Sequence, residues 1–207
     1  MTYFTADLHL GHENILEMAE RPFSCIEEMD ETLIANWNER VKGNDSVYIA
    51  GDLIFKSKTN NPEQYLSRLK GKKILILGNH DHGWKDKVDM GKYFKEVLNL
   101  KEVDIEGHMT TICHYPMIEW RSSRKENSKR LGFLIHGHIH KNTEKPEYMQ
   151  LFRLPNALNA GVDINGFRPV TFEELLKNNS AFKHDILKGT ADEELLSERE
   201  ENLKKWL

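Results

Sequence analysis

Side chains that can bind metal ions follow short runs of aliphatic, aromatic or β-branched residues at five places in the chain. They are Asp7 and His9, Asp52, Asn79 and His80, His114, and His138 and His140. Alternate side chains of an extended segment share a face, so Asp7 and His9 can grip a single ion. Such runs predict strands, and strands of one sheet place their ends side by side, where ligands bind in open α/β sheets. We therefore expect these side chains to converge on one site.

The stretch at residues 74–81 shows the pattern most clearly. Four consecutive aliphatic residues predict a buried strand, and Gly78 ends it abruptly before Asn79, His80 and Asp81. Taken alone, Gly-Asn is also a turn dipeptide whose polar neighbours face water. The recurrence of the pattern elsewhere in the chain favours the interpretation as metal ligands.

The number of candidate ligands exceeds what one ion needs. Four imidazoles, two carboxylates and one amide oxygen are too many for a single ion with an open position, and they suit two ions that share a ligand. A carboxylate is the natural bridge, because each of its oxygens can meet one metal. Two ions roughly 3.5–4 Å apart can clamp the attacking and leaving oxygens of an in-line displacement at phosphorus, and they lower the pKa of a bound water. The predicted chemistry is hydrolysis of a phosphoester by a metal-bound hydroxide.

Composition restricts the class of protein. The 207 residues, 39% of them hydrophobic and 30% charged, suffice for one globular domain with a sizeable core. A formal net charge of −4 argues against a general nucleic-acid coat or a membrane-surface binder. No apolar run approaches the roughly 18 residues of a spanning helix, and residues 1–6 lack the features of a signal peptide. The two cysteines fit neither a metal pattern nor a disulfide framework, so we expect a cytoplasmic protein with no membrane partner.

The elements that must position these side chains can be predicted from residue patterns. Predicted strands lie at 2–6, 47–50 and 133–135 and within 72–81, with a hairpin at 101–113 and a further strand pair within 149–162. Predicted helices lie at 13–20, 27–42, 61–71, within 82–100 around Tyr93, Phe94, Val97 and Leu98, from 171 onward, and at 190–207. We expect residues 1–178 to form one domain and 179–207 a charged helical extension. The apolar residues of that extension lie either on the body or against a partner chain in a homodimer.

The order of the motifs resembles a known family. Asp7-x-His9, Gly51-Asp52, Gly78-Asn79-His80-Asp81, His114 and Gly137-His138-x-His140, in that order, look like the calcineurin-like metallophosphoesterase superfamily. The resemblance runs from residue 2 to about 175. Residues 4–15, 21–23, 114–117 and 161–169 resemble its small bacterial and phage branch in particular.

This resemblance implies an α/β (α+β) fold, in which a central β-sandwich is flanked by helices and a dimetal site lies at the carboxyl ends of the strands. It implies that Asp7, His9, Asp52 and His140 hold one ion and that Asp52, Asn79, His114 and His138 hold the other, with Asp52 bridging. His80 would donate a proton to the leaving oxygen or a hydrogen bond to the charge on phosphate. The expected cofactors are two divalent ions, with manganese favoured over iron, zinc, nickel or magnesium.

One departure from the family bears on the substrate. Leu53, Ile54 and Phe55 follow Asp52, where phosphoprotein phosphatases have Asp-Arg-Gly, so the acidic partner of the catalytic histidine is missing at that position. A phosphodiester or nucleotide-like small molecule is therefore the favoured substrate. The alternatives are a small-molecule phosphomonoester or a non-catalytic, metal-binding interaction scaffold. Nucleic acid is possible but less favoured, since the chain has no extended basic face.

Further residues are candidates for substrate binding. His12 would touch substrate or support its loop, and Arg21 would bind phosphate or form a surface salt bridge. Residues 119–131 lie between two ligand-bearing strands and would project over the site. There Trp120 would stack a base while Arg121 and Arg124 bind phosphate, unless the segment is a solvated loop. The other histidines, His82, His108, His136 and His184, are expected to be structural or exposed.

Overall fold

The computed structural model describes residues 1–55, 61–123 and 131–204. Its strands are β1 (Thr2–Thr5), β2 (Ser46–Ile49), β3 (Lys72–Ile76), β4 (Phe94–Leu98), β5 (Leu100–Ile105), β6 (His108–Cys113), β7 (Phe133–His136) and β8 (Ala157–Asn159). Its α-helices are α1 (Ile15–Met18), α2 (Ile26–Arg40), α3 (Pro62–Leu66), α4 (Met90–Tyr93), α5 (Met149–Phe152), α6 (Phe172–Leu187) and α7 (Ala191–Lys204). None of the helices in these ranges has the length and apolar character needed to cross a bilayer.

The strands form two sheets of four. In the first sheet β1, β2, β3 and β4 are parallel and neighbours in that order. In the second sheet β5 and β6 form the predicted antiparallel hairpin, and β7 and β8 continue the sheet parallel to β6. Parallel pairing brings the carboxyl ends of β1, β2 and β3 to one edge, and those of β6 and β7 to one edge of the second sheet.

The two sheets enclose a core because alternate residues of each strand face opposite sides. Phe4, Ile74 and Ile76 of the first sheet pack in one buried cluster with Ile112 and Phe133 of the second. This cluster is the inner layer of a β-sandwich.

The outer faces of both sheets are covered by helices. Tyr3, Val47, Ile49 and Leu75 share a second buried cluster with apolar residues of α2 and α3. Leu134 of β7 shares a third with residues of α5, α6 and α7. The predicted fold, a sandwich of two sheets flanked by helices, is confirmed.

Two predicted elements differ in the structure. The helix expected around Phe94 and Val97 is the strand β4, because these residues pair with the edge of β3 and the Leu77 N–H donates to the Leu98 carbonyl oxygen at 2.8 Å. The spacing of Tyr93, Phe94, Val97 and Leu98 imitates a helical stripe, but pairing along an open sheet edge prevails. Residues 149–162 contain the short α5 and the single strand β8 in place of a strand pair.

The described residues of the C-terminal region, up to Lys204, form two helices as expected. Thr171 and Glu174 form the predicted capping box at the start of α6. α6 continues without a break across residues 178 and 179, and the division into two domains there stays a prediction. Leu196 and Leu203 of α7 are buried against the body of the protein, which is one of the two expected locations. Trp206 lies outside the described residues.

Candidate metal centre

The predicted ligands follow the carboxyl ends of five strands, β1, β2, β3, β6 and β7. Three groups of side chains could each hold a metal ion, because the ligand atoms within a group lie no more than 4.8 Å apart. The groups are Asp7, His9 and His140; His9, Asp52 and His80; and Asp7, Asp52 and His114. Asp52 belongs to two of these groups, as a bridging ligand must, and so does Asp7. The structure thus brings side chains from both sheets to one site.

Asp52 is central to this arrangement. Its Oδ2 atom lies 3.4 Å from His114 Nε2 and 3.7 Å from His9 Nε2. Its Oδ1 atom accepts a hydrogen bond of 2.8 Å from the backbone N–H of His80. The carboxylate is 2% exposed, so its charge faces ligand nitrogens and backbone with little water.

The Asn79 side chain lies close to two imidazoles. Its Oδ1 atom lies 3.0 Å from His114 Nε2 and 3.1 Å from His138 Nδ1. An amide oxygen among imidazole nitrogens is a donor set that divalent transition metals accept. All the residues predicted to hold the second ion therefore meet around Asn79 and Asp52.

Backbone conformation sets this site apart from the rest of the chain. Nine non-glycine residues have a positive φ in the described ranges, and five of them are predicted ligands. These five are Asp7, His9, Asp52, His138 and His140, with φ between 51° and 74°. Left-handed conformations of non-glycine residues are sparsely populated and are concentrated at functional sites.

Glycines allow the ligand-bearing segments to approach one another. A Cβ atom on Gly78 would lie 2.2 Å from Asp52 Oδ1 and 2.6 Å from the Asp52 backbone nitrogen. One on Gly137 would lie 2.8 Å from Asp7 Oδ2 and 2.9 Å from the Ala50 carbonyl oxygen. Gly78 directly precedes Asn79, and Gly137 directly precedes His138. A side chain at either glycine would collide with these neighbours, which explains why the motifs have glycine there.

Hydrogen bonds orient three of the imidazoles. His114 Nδ1 lies 2.9 Å from the Ala50 carbonyl oxygen, and His140 Nδ1 lies 2.8 Å from Asp163 Oδ2. His9 Nδ1 lies 3.2 Å from His12 Nδ1. A carbonyl or carboxylate accepts only, so Nδ1 carries a proton in both His114 and His140. Partners of this kind typically fix the tautomer of a metal-binding histidine.

Burial shifts the pKa of Asp7, His9 and His138 in the direction that favours their neutral forms. It raises the pKa of Asp7 to about 6, an effect that His140 and His114 oppose. Burial also lowers the pKa of His9 well below its ordinary value, and lowers that of His138 to about 4. His9 and His138 are therefore neutral near pH 7, which is the form that binds a metal. For His140, burial also acts to lower the pKa, but the hydrogen bond to its carboxylate partner and the nearby carboxylate charges together outweigh that effect, and its pKa is raised.

One atom supports the fit of a cation directly. His9 Nε2 is buried and has no hydrogen-bond partner among the described residues. Such an orphaned polar atom is costly unless another group satisfies it. Because this atom lies 3.7 Å from Asp52 Oδ2, within a set of carboxylates and imidazoles, the position suits a divalent ion.

His80 lies at the open side of the site. Its side chain is 35% exposed, and its Nε2 atom is 4.0 Å from Asp52 Oδ2. Its ring centroid is 5.0 Å from that of His9. The predicted proton donor is therefore beside the ligands and reachable from solvent.

Asp81 has a role that the sequence did not indicate. Its carboxylate accepts hydrogen bonds from the backbone N–H groups of Asp52, Leu53 and Gly78 and from Trp84 Nε1, at 2.8–3.0 Å. It is fully buried. Asp81 thus ties the end of β2 to the end of β3.

Arg21 is placed differently from both expectations. Its side chain is 0% exposed and forms an ion pair with Asp163, with Nε 2.8 Å from Oδ1. Its other donors reach the backbone carbonyl oxygens of Asp7 and Leu8. Arg21 is neither a surface salt bridge nor turned towards a substrate. Asp163, which the sequence analysis left without a role, connects Arg21 to His140.

Of the other candidate substrate-binding residues that the structure describes, only His12 is found at the site. Trp120 is buried in the third cluster with Nε1 bound to the Gly132 carbonyl oxygen at 3.0 Å, so it does not stack on a base. Arg121 is an exposed residue paired with Glu102 at 2.9 Å. His12 does lie at the site, stacked on Phe55 at 3.7 Å between ring centroids. Arg124 lies outside the described residues.

The chain is similar to several known proteins. The sequence profile of the calcineurin-like phosphoesterase superfamily domain matches residues 4–161. An uncharacterized protein of Methanocaldococcus jannaschii is 34% identical over 176 residues, 84% of this chain and 89% of that protein. The gene 66 protein of Mycobacterium phage L5 is 32% identical over 160 residues, 67% of this chain and 77% of its own. The crystal structure of a protein of unknown function from Aquifex aeolicus is 28% identical with a TM-score of 0.64, covering 86% of this chain and 98% of that one. The profile match contains every predicted metal ligand.

Proposed function

Because the chain belongs to the calcineurin-like phosphoesterase superfamily, we propose that it is a hydrolase that uses two divalent metal ions to cleave a phosphodiester or a nucleotide-like phosphoester. The single observation that carries the proposal is the convergence of buried carboxylates and imidazoles around Asp52, with His9 Nε2 left without a partner among the described residues. The likeness to a phage protein agrees with the bacterial and phage branch expected from the motifs.

The ion-binding residues in this proposal are Asp7, His9, Asp52 and His140 for one ion and Asp52, Asn79, His114 and His138 for the other. Their ligand types suit manganese, which we favour, as well as iron, zinc, nickel or magnesium. When bound, two such ions polarise the phosphoryl group, lower the pKa of a water and neutralise charge that develops during in-line displacement.

The protein's own residues supply position and a proton. The backbone N–H of His80 is bound to Asp52, which keeps its ring beside the ligands. From its partly exposed position His80 Nε2 donates a proton to the leaving oxygen, or a hydrogen bond to a phosphate oxygen. Asp81 and the glycines hold the loops at the separation that this requires.

The residues after Asp52 support a small substrate over a phosphoprotein. Leu53 and Ile54 are both 0% exposed and pack in the core cluster with α2. The position that carries an acidic partner in phosphoprotein phosphatases therefore serves packing in this chain. A phosphomonoester of a small molecule is the second candidate, and a metal-binding scaffold the third. Action in the cytoplasm and a homodimer through α7 stay predictions.

Hydrolysis of bis-p-nitrophenyl phosphate and p-nitrophenyl phosphate, with Mn²⁺ added or chelated, tests the proposal. We expect metal-dependent cleavage with preference for the diester. Preference for the monoester would support the second candidate. Absence of cleavage of both, in protein shown to contain two metals per chain, would favour the scaffold.

His80→Ala tests the proposed proton donor. We expect turnover to fall by about 10²–10⁴-fold, the usual contribution of a general acid, while metal content measured by mass spectrometry stays at the wild-type value. His82→Ala, two residues away, is the control. Unchanged turnover in His80→Ala would remove His80 from the mechanism.

A further inference from the structure

The segment that follows β8 contains a buried carboxylate that touches a predicted ligand. Asp163 has a side chain that is 2% exposed. Its Oδ2 atom lies 2.8 Å from His140 Nδ1, and Arg21 donates to both of its oxygens, from Nε at 2.8 Å and from Nη2 at 3.1 Å. The three side chains thus form a continuous chain of charge-assisted hydrogen bonds, Arg21 to Asp163 to His140.

Arg21 also holds the loop that carries the first two ligands. Its Nη2 atom donates to the Asp7 carbonyl oxygen at 2.6 Å, and its Nη1 atom donates to the Leu8 carbonyl oxygen at 2.9 Å. Asp7, His9 and His140 are the members of one potential metal group. The Arg21 guanidinium therefore connects the backbone next to Asp7 and His9 with the carboxylate that contacts His140.

We propose that Asp163, held in place by Arg21, is a positioning residue for His140: it keeps the imidazole proton on Nδ1 and leaves Nε2 free for a metal ion. A carboxylate has no proton to donate when it is paired with a guanidinium, so the Nδ1 atom of His140 must donate to it. Partners of this kind raise the basicity of a ligating histidine and fix its ring. This inference rests on the proposed function only in its metal-binding measurement.

The Asp163→Asn substitution separates this role from packing. Asparagine has nearly the same shape, but its amide nitrogen donates. It cannot accept from Arg21 Nε, Arg21 Nη2 and His140 Nδ1 together. Either one bond to Arg21 is lost or His140 must turn a lone pair towards the amide, which moves the imidazole proton to Nε2 and blocks that atom.

Isothermal titration of the metal-free protein with Mn²⁺ gives the first readout. For Asp163→Asn we expect the affinity for one of two ions to fall about 10–100-fold, as for other partners of metal-binding histidines. The control is Glu31→Gln, which alters the exposed bidentate pair of Glu31 with Arg68 and should leave both affinities unchanged. Wild-type affinity for both ions in Asp163→Asn would overturn the proposal.

Nitrogen-15 NMR of the imidazoles in the metal-free wild-type protein gives the second readout and needs no variant to fold. We expect the neutral ring of His140 to carry its proton on Nδ1. A proton on Nε2 would overturn the positioning role. If the wild-type protein binds no metal ion, the proposed function fails, whereas the NMR result still decides between the tautomers.

Discussion

Five predicted ligands at the candidate metal centre have a sparsely populated backbone conformation. Asp7, His9, Asp52, His138 and His140 all have left-handed φ angles. Residues in such regions cost of the order of 1–3 kcal/mol each and persist only when their surroundings determine them. At Asp52 and Asp7 that constraint comes from backbone hydrogen bonds with Asp81 and Arg21 respectively. The free energy of folding is thus partly used to hold ligands in place before an ion arrives.

Gly78→Ala should disrupt this arrangement. The new Cβ atom would lie 2.6 Å from the Asp52 backbone nitrogen and 2.2 Å from its carboxylate, so neither neighbour can simply turn away. We expect a loss of about 1–3 kcal/mol in the free energy of unfolding, measured by urea titration, together with reduced metal binding. Gly43→Ala is the matched control, because nothing lies within 4 Å of its added Cβ. Equal stability of the two variants would contradict the prediction.

The sequence pointed to the predicted ligands but not to the residues that contact them. Each predicted ligand follows a run of aliphatic, aromatic or β-branched residues, so local pattern and strand order were sufficient to group them. Arg21 and Asp163 are 142 residues apart, and no spacing connects them. The motif around Asp163 was recognised only as part of a resemblance. Trp120 was misplaced because an aromatic residue beside arginines looks the same in sequence whether it is buried or faces a cleft.

At the scale of elements, α6 depends on its first turn. The Glu174 backbone N–H donates to Thr171 Oγ1 at 3.3 Å, and the Thr171 N–H donates to Glu174 Oε2 at 2.9 Å. Thr171→Ala should therefore lower the free energy of unfolding by about 1 kcal/mol, the usual value of such a cap. Urea unfolding beside Thr143→Ala, an exposed threonine outside the helices, checks this. Phosphoesterase activity should not change, because Thr171 touches no predicted ligand.

The elements themselves were predictable where one interaction dominates. The strands β1, β3 and β7 are short runs in which most residues are buried on both faces, and α2 has a clear apolar stripe. β4 was mistaken for a helix because it becomes a strand by pairing with the edge of β3. That pairing partner lies outside the local sequence window. β8 has only three residues, too few to produce a recognisable alternation of side chains.

At the scale of the whole molecule, ion binding should stabilise the fold. The ligands come from both sheets, and the folded state binds the ions while the unfolded chain lacks the assembled site. At an ion concentration of 100 times Kd the gain is about 2.7 kcal/mol, which raises Tm by roughly 5–10 °C for a chain of this size. Calorimetry with Mn²⁺ and with a chelator measures it. Identical Tm values in both conditions would show that no ion is held.

Lys183 should make the stability depend on pH. Burial lowers the pKa of its ammonium to about 7, whereas the unfolded chain keeps an ordinary lysine pKa near 10.4. Between those values the unfolded state binds a proton that the folded state does not, so the contribution of Lys183 to stability increases as pH rises from 7 towards 10.

The comparison of wild type with Lys183→Met isolates this contribution from other titrating groups. The difference in free energy of unfolding should shift in favour of the wild type between pH 7 and pH 9.5. Lys177→Met, on the same helix, serves as the control because Lys177 is exposed. A difference that does not change with pH would mean that Lys183 titrates normally.

The order in which the site residues occur along the chain has a consequence for biosynthesis. Asp7 emerges from the ribosome well before His140 and its partner Asp163. β1 also acquires its last neighbours late, since the Phe4 and Val170 backbones exchange two hydrogen bonds and the Val162 N–H donates to the Ala6 carbonyl oxygen. A nascent chain that has not reached Asp163 therefore lacks a complete set of oriented candidate ligands. We expect metal binding at the proposed site to be a late event that follows closure of the sandwich.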